Sequence, residues 1–270
     1  MTSIDPADVQ RWYAAIGRQE TQHAVLEIES LRRYALAIGE DAHVERRQPP
    51  LAHWAFFLPA PADNEIGRDG HPRRGGFLPA VTLPRRMFAA SEMSFYAPLL
   101  LGAAAKMTST IRDLTHKSGR SGDLVFVEVD RVLTQDGLPR VSERQSYVYR
   151  GDGGATPMPA PSADPIAGEV WHPDEVNLFR FSAATFNGHR IHYDLPYASG
   201  VEGYPALVIH GPFTASKLAA LASRDRPLAK FAFRAQAPLF LGQPVMLQSG
   251  AGEFRAVRAD GAIAMTASRD

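Results

Sequence analysis

An internal repeat limits the folds open to this chain more than any other feature. The segment APLLLGAAAKMTS at 97–109 matches APLFLGQPVMLQS at 237–249, including the Ala-Pro-Leu start and the glycine five residues after the alanine. A second pair, LRRYALAIGE at 31–40 and LFRFSAATFN at 178–187, occurs in the same order. Two aligned blocks in one order predict an internal duplication, and therefore two similar halves.

A stretch without apolar periodicity separates the two halves. Residues 151–168 are rich in Gly, Pro, Ala and Asp, which is typical of a linker. We therefore divide the 270 residues into an N-terminal half, 1–150, and a C-terminal half, 169–270. Residues 58–82 form another irregular region within the first half. Long loops of this kind are often functional, so this one is a candidate for a role in the site.

Both halves show the alternation of apolar and polar residues that is typical of half-buried antiparallel strands. Four strands are predicted after Pro84 and four from Lys230 onward, with turns at KSGRSG (117–122) and at Asp136-Gly137. The one clear helix, GPFTASKLAALAS at 211–223, carries an apolar stripe. A helix laid across a curved antiparallel sheet, once in each half, is an α+β architecture.

The composition argues against several classes of protein. Basic and acidic residues number 29 each, so charge gives no reason to expect a nucleic-acid or membrane partner. The chain has no cysteine, which excludes disulfides, thiol nucleophiles and Cys-ligated metal sites. The N-terminus lacks the apolar core of a secretory signal, and no apolar run has the length of a membrane span. We therefore expect a cytoplasmic protein.

The stretch TFNGHRIHYDLP at 185–196 groups polar and titratable residues. His189 and His192 are three apart and would share a face of a helix, and the glycine after Asn187 allows its side chain to turn toward the same pocket. With Asp194 the histidines form a metal triad in principle. Because the set lacks any recognised metal spacing, we expect no metal. The other interpretations are a catalytic site and a loop whose polar groups satisfy the neighbouring backbone.

The residues that follow favour the catalytic interpretation. EGYPALVIHGPFTAS at 202–216 runs from an apolar segment into His210 and Gly211 and then opens the predicted helix. The backbone N–H of a glycine at a helix N-terminus is a ready donor to an oxyanion. A His/Asn pair and such a donor supply proton transfer, water positioning and enolate stabilisation. These are the parts needed for chemistry next to a thioester carbonyl.

Together these segments resemble the MaoC-like, (R)-specific enoyl-thioester hydratases of the hot-dog fold. The signature of that family runs roughly F-S-x-x-S/T-G-D-x-N-P-I-H-x-D-P-x-x-A, followed by V-x-H-G at the start of the central helix. The residues that match it are Phe181, Ser182, Thr185, Ile191, His192, Asp194, Ala198, His210 and Gly211.

More narrowly, the chain is similar to the double hot-dog subgroup with mesaconyl-C4-CoA and itaconyl-CoA hydratases and mitochondrial-type 3-hydroxyacyl-thioester dehydratases. PRRMFAA at 84–90 and SGRSGDLVFV at 118–127 add to this resemblance, which covers about residues 28–270. It implies two antiparallel sheets, each wrapping a central helix, packed as an intramolecular pseudo-dimer. Since such a chain already contains the pair that single hot-dogs form by association, we expect a monomer or a homodimer.

The resemblance implies a hydro-lyase that adds water reversibly to a short, branched, dicarboxylic enoyl-CoA. Itaconyl-CoA or mesaconyl-C4-CoA would give a product of the citramalyl-CoA type. The substrate carries the CoA, and no cofactor is implied. One alternative is a fatty-acid-type dehydratase of 3-hydroxyacyl thioesters on CoA or acyl carrier protein. Another is a non-catalytic subunit that binds acyl thioesters.

The chain departs from the signature at the catalytic positions. Asn187 stands where the family has a catalytic Asp, and His189-Arg190 replace Asn-Pro. Because Asn cannot take a proton, His192 would do the acid/base work, Asn187 would hold the water or the imidazole, and Gly211 would hold the thioester oxygen. His189 either contacts the substrate or supports the loop. The candidate substrate-binding residues, including three arginines for a free carboxylate, are His189, Arg190, Arg85, Arg86 and His210.

The first half has lost the catalytic residues of the repeat. The positions that match the asparagine and the histidine hold Glu40 and Glu45, and His53-Trp54 replaces the histidine-glycine pair. We expect the first half to be a degenerate, substrate-binding hot-dog, with residues 58–82 over the acyl or pantetheine channel. The second half would be catalytic.

Overall fold

Antiparallel strands and a few short helices make up the computed structural model, which describes residues 4–119 and 122–270. The strands are β1 (Gln19–Val25), β2 (Arg85–Phe95), β3 (Ala104–Gly119), β4 (Gly122–Gln135), β5 (Leu138–Arg150), β6 (Glu169–Trp171), β7 (Lys230–Ala235), β8 (Val245–Ser249), β9 (Glu253–Arg258) and β10 (Ile263–Arg269). The helices are α1 (Pro6–Tyr13), α2 (Ile28–Ile38), α3 (Glu175–Ala184), α4 (Leu195–Gly200) and α5 (Gly211–Ala222), with 3-10 turns at Ala52–Ala55, Asp63–Glu65 and Arg190–His192.

The repeated sequence blocks fold into the same elements. Residues 31–40 run through the end of α2, and residues 178–187 run through the end of α3. In the other pair, each block makes a turn at a glycine with positive φ, Gly102 at 76° and Gly242 at 89°, and then enters β3 or β8. Glycine adopts this left-handed backbone without steric cost, which accounts for the shared glycine.

The eight strands predicted from alternation are all present, but two edge strands and the helices α1 to α4 were not predicted. The edge strands are β1 and β6, at the two ends of the sheet, and β1 is mostly polar (QETQHAV), so it lacks the apolar alternation that marks a strand. In α3, Val176 and Phe179 are exposed and blur its apolar stripe. The turn predicted at 117–122 falls partly on residues 120 and 121, outside the described residues.

The two halves share one ten-stranded sheet, in the order β1-β3-β4-β5-β2-β7-β10-β9-β8-β6. They join where β2 pairs with β7, from Ala90 opposite Arg234 to Ser94 opposite Lys230. The two sheets expected from the sequence are therefore continuous at this seam. The α+β class is as expected.

Only the second half has the expected central helix. α5 is rich in Ala and Leu and buries Phe213, Ala215, Leu218 and Ala219 almost completely against β2 and the strands β7 to β10. At the matching place in the first half stands the 3-10 turn Ala52–Ala55, and from there to β2 the chain forms no α-helix or strand, only a second 3-10 turn at Asp63–Glu65. This corrects the expectation of one helix in each half.

The inner face of the first-half strands carries two apolar clusters with polar residues between them. One cluster lies under α1 and includes Trp12 and Tyr149, and the other includes Met107 and Leu133. Between these clusters the strands place a polar row of Ser109, Arg131, Glu143 and Gln145. As for membranes, no helix in the part of the chain described above has the length and apolar character of a span.

Candidate active site

A cavity of about 1550 Å³ opens where the first half lacks a central helix. It is larger than the roughly 300–1000 Å³ of common small-molecule sites, and so has room for an acyl group and part of a pantetheine arm. The predicted site residues that line it are Arg86, Asn187, His189, His192 and Gly211. The other three, Arg85, Arg190 and His210, lie outside the lining.

His192 has the features of a general base. It ends the 3-10 turn Arg190–His192, and its Nδ1 donates to the Val208 carbonyl at 2.7 Å, which leaves Nε2 with a free lone pair. Burial lowers the pKa of His192 to about 4, against the opposing hydrogen bond to Val208 and with help from the charge of His71. The imidazole is therefore neutral at pH 7.

His210 packs behind this base instead of reaching the cavity. It precedes the first residue of α5, is fully buried, and stacks on His192 with ring centroids 3.6 Å apart. Its Nε2 lies 2.8 Å from the Ser182 hydroxyl. Burial, followed by the charges of His192 and His189, lowers the pKa of His210 well below its usual value. The contact holds the plane of the His192 ring.

Asn187 orients the loop and lines the cavity. Its Oδ1 accepts the backbone N–H of His189 at 3.0 Å, so the NH₂ group is left to donate to whatever occupies the cavity. The His189 ring meets the His192 ring edge-on, with centroids 5.3 Å apart. Burial, followed by the charges of His71 and His192, lowers the pKa of His189.

Gly211 presents a backbone donor at the start of α5. The N–H at this position has no acceptor within the helix, and it lies at the positive end of the helix dipole. A Cβ added here would meet Phe88 O at 3.8 Å, an ordinary contact. Glycine is therefore not required by the backbone packing.

The loop at 58–82 brings two residues to the site that the sequence did not indicate individually. His71 lies with its ring centroid 4.0 Å from that of His189, and its Nδ1 is 3.2 Å from the Asp69 carboxylate. Burial lowers the pKa of His71, and the bond to Asp69 opposes this. The available signal was an Asp-Gly-His sequence inside a long irregular segment of the first half.

This loop is clamped onto the 187–190 segment by close backbone contact. Gly70 has a φ of 87°, and a Cβ added there would lie only 1.9 Å from Gly188 O. The backbone N–H of Arg190 donates to Asp69 O at 2.9 Å. The site is therefore assembled from both halves of the chain.

Two of the predicted arginines have structural partners. Buried Arg85 lies 3.4 Å from the Glu202 carboxylate and stacks over the Tyr204 ring. Arg190 donates to Asp194 at 2.9 and 2.7 Å, while Asp194 caps α4. Neither residue lines the cavity, in contrast to Arg86.

Asp69, His71 and His189 are the residues that could hold a metal ion, since their ligand atoms lie within 4.8 Å of one another. The fit is poor for two reasons. The Asp69 carboxylate is already bonded to His71, and the positive charge of Arg86 acts on both imidazoles, which disfavours a second cation. These residues therefore do not fit a metal ion.

In the first half, His53 and Trp54 take the place of His210 and Gly211, and both bind the buried carboxylate of Glu143. Trp54 Nε1, Ser91 Oγ and His53 Nε2 lie 3.1, 2.8 and 3.3 Å from Glu143. Burial would raise the pKa of Glu143, but the bond and charge of His53 outweigh it and lower the pKa to about 2. Glu45 forms an ion pair with Arg32 at the surface. Of these residues, Trp54 lines the cavity, whereas His53, Glu143 and Glu45 do not.

Comparison with known proteins identifies the family of the chain. The family model of hydroxyacyl-thioester dehydratase type 2 matches residues 51–241. The chain belongs to this family. It is 42% identical to mesaconyl-C(4)-CoA hydratase of Chloroflexus aurantiacus over 276 residues, which is 95% of this chain and 96% of that protein.

Solved structures similar to this member of the hydroxyacyl-thioester dehydratase type 2 family share its fold. A MaoC-like dehydratase from Phytophthora capsici has a TM-score of 0.66 at 15% identity and covers 97% of both chains. A Mycobacterium tuberculosis protein described as a double hot-dog has a TM-score of 0.52 at 14% identity, over 94% of this chain and 95% of that one. The double hot-dog fold is confirmed.

Proposed function

We propose that the chain is a hydro-lyase that adds water reversibly to mesaconyl-C4-CoA to give a product of the citramalyl-CoA type. The observation that carries this is a buried, neutral His192 in the same cavity as the Gly211 N–H. The substrate follows from the 42% identity to a mesaconyl-C(4)-CoA hydratase along nearly the whole chain. The free Nε2 argues against a non-catalytic binding subunit.

The reaction needs one base, one oxyanion donor and one water molecule. The thioester oxygen accepts from the Gly211 N–H, and the Asn187 amide donates to the oxygen of the water. His192 Nε2 takes a proton from this water as its oxygen bonds to the β-carbon. The electrons of the double bond then reside on the enolate, which the Gly211 N–H stabilises. The imidazolium returns the proton to the α-carbon, and no other reactant is consumed.

Each group has a known order of contribution. An oxyanion donor of this kind contributes about 3–4 kcal/mol to stabilisation of the transition state. A positioned acid/base histidine contributes about 10²–10⁴-fold in rate. In this scheme the neutral form of His192 is required at the start, and burial provides it at physiological pH.

The test is an absorbance assay that follows loss of the conjugated enoyl thioester. The panel is mesaconyl-C4-CoA, crotonyl-CoA and a long-chain 2-enoyl-CoA. Itaconyl-CoA, whose double bond is not conjugated with the thioester, is followed by chromatography of the product. We expect the highest kcat/KM on mesaconyl-C4-CoA. Activity confined to the long-chain thioester would replace the proposal with the fatty-acid-type dehydratase, which the family description favours as the second candidate.

A further inference from the structure

Mesaconyl-C4-CoA carries a free carboxylate that the residues of the proposed mechanism do not bind. With the thioester at C4, this carboxylate and a methyl group are both attached to the β-carbon, the atom to which water adds. A carboxylate that leaves water for a buried cavity needs a cationic or N–H partner. That partner must lie close to His192, because the carboxylate is one bond away from the reacting carbon.

Arg86 differs from its neighbour Arg85 in having an uncompensated charge. Side chains alternate along a strand, and the two arginines of β2 accordingly face different surroundings. Arg85 pairs with Glu202 and Asp152. Arg86 lines the cavity and forms no ion pair with any residue in 4–119 or 122–270. Its guanidinium lies near the hydroxyl of Tyr149, whose pKa is raised by burial and lowered again by this positive charge.

The Arg86 charge faces the histidines of the site. Burial lowers the pKa of His71 and of His189, and Arg86 lowers both further. The His71 ring lies 4.0 Å from the His189 ring, and His189 lies 5.3 Å from His192. An anion bound beside the rings of His71 and His189 would therefore lie close to His192.

We propose that Arg86, together with a ring N–H of His189, binds the free carboxylate of the acyl group. This proposal rests on the proposed function, and it identifies the residues that select a substrate with a free carboxylate. A neutral imidazole keeps one N–H, and the described residues contain no partner for the His189 ring nitrogens. His71, held by Asp69, forms the wall behind His189. An anion here compensates the positive charge of Arg86, whereas a metal ion would add to that charge.

Other arginines of the cavity are less suited to this role. Arg74 uses its guanidinium to donate to the carbonyls of Val81, Leu83 and Pro84. Arg131 lies opposite Glu143 in the sheet, and its charge helps to keep the pKa of that carboxyl low. Arg150 lines the cavity but is not among the main charges that act on His71 and His189. It provides a matched control.

The experiment compares two saturated thioesters that differ only in the group of interest. Methylsuccinyl-C4-CoA has the carboxylate, and isovaleryl-CoA has a methyl group in its place. Calorimetric Kd values give a ratio in which every contact to the CoA moiety cancels. For the wild type we expect tighter binding of the carboxylate by about 10- to 150-fold, the range for a charged hydrogen bond. The R86M variant should bring the ratio close to one, while R150M should leave it unchanged.

Two further variants keep the test decisive. R86Q keeps a polar chain without charge and is used if R86M does not fold, which binding of isovaleryl-CoA reveals. R86K should retain part of the ratio, since an ammonium cannot reproduce a bidentate guanidinium contact. A wild-type ratio in folded R86M or R86Q would overturn the carboxylate site. If the wild type discriminates through Arg86 but does not hydrate mesaconyl-C4-CoA, the proposed function fails while the binding site stands.

Discussion

The imidazole rings of His192 and His210 are stacked, with centroids 3.6 Å apart and planes 21° from parallel. His192 is also tied through Nδ1 to the Val208 carbonyl, and His210 is tied to the Ser182 hydroxyl. Stacking on His210 thus fixes the plane of the His192 ring, and the hydrogen bond to Val208 fixes its rotation. Such positioning before the reaction is what proton transfer requires.

Replacing the base should remove activity without removing binding. For His192→Gln we expect kcat on mesaconyl-C4-CoA to fall by about 10²–10⁴-fold, because the amide cannot accept the proton of the water. The Kd for isovaleryl-CoA should change by less than about threefold, since no proton moves on binding. Calorimetry and the absorbance assay measure the two quantities on one preparation. Full activity in a folded variant would remove His192 from the mechanism.

Restoring a carboxylate at position 187 should shift the pH profile. With Asn187 the acid limb of kcat/KM should reflect the His192 pKa of about 4. In Asn187→Asp one carboxylate oxygen can still accept the His189 N–H, and the new negative charge in the cavity stabilises the imidazolium. The acid limb should therefore move to higher pH. Asn187→Ala, which adds no charge, is the control and should lower kcat/KM while leaving the limb in place.

Four histidines with lowered pKa values, two of them buried and two partly exposed, should make the fold sensitive to acid. The pKa values of His71, His189, His192 and His210 all lie below the unfolded value of about 6.5. As pH falls through 6.5 the unfolded chain binds protons first, so the free energy of unfolding decreases. Each histidine adds up to about 1.4 kcal/mol per pH unit.

Denaturant unfolding between pH 5 and 7.5 measures this slope. Carboxyl groups whose pKa is lowered, among them Asp69 and Glu143, lose their contribution to stability only near or below their unfolded pKa values of about 4, outside this window. His71→Asn removes one titrating group. It should reduce the slope of the unfolding free energy against pH by up to about 1.4 kcal/mol per pH unit, the contribution of one proton. A free energy of unfolding that stays constant over the window would contradict the prediction.

The sequence predicted those parts of the fold whose signal is local. The alternation in 123–134 and 140–150 marks β4 and β5, and the Ala/Leu stripe of 211–223 marks α5. Likewise Asn187, His192 and Gly211 were indicated by close spacing and a helix start. By contrast His71 reaches the site only because residues far apart in the chain dock against each other, and no local pattern records that contact.

The same limit explains why the sequence could not distinguish the roles of the arginines, and why it predicted a helix that the first half does not form. Arg85, Arg86 and Arg190 are equivalent as sequence, and only tertiary partners such as Glu202 and Asp194 separate those with structural roles from one that faces the cavity. The repeat predicted one helix across the sheet in each half, since duplication implies similar elements. The first half instead forms a short 3-10 turn at Ala52–Ala55, and the resulting space becomes the cavity.

Docking of the 58–82 loop should depend on Gly70. In Gly70→Ala the new Cβ would lie 1.9 Å from Gly188 O, at a φ of 87° that disfavours side chains. We expect a loss of about 1–3 kcal/mol in unfolding free energy and a fall in kcat/KM, because His71 would leave His189. Gly76→Ala, with open space around its Cβ and no positive φ, is the matched control and should behave as wild type. Equal effects from both variants would argue against the clamp.

The oxyanion donor can be deleted by removing one N–H. Gly211 is the first residue of α5, a position that proline tolerates, and His210 has φ −59° and ψ 130°, which suits a residue before proline. Gly211→Pro therefore lacks the donor. Because residue 211 precedes Pro212, which disfavours a helical backbone at 211, the start of α5 in this variant is checked by circular dichroism. We expect kcat to fall by about 10²–10³-fold, as for loss of one oxyanion contact.

Gly211→Ala keeps the N–H, and its Cβ meets only Phe88 O at 3.8 Å, so its kcat should stay within about tenfold of wild type. If the proline variant folds, as judged by circular dichroism and the Kd of isovaleryl-CoA, and is as active as the alanine variant, the thioester oxygen is held by another group.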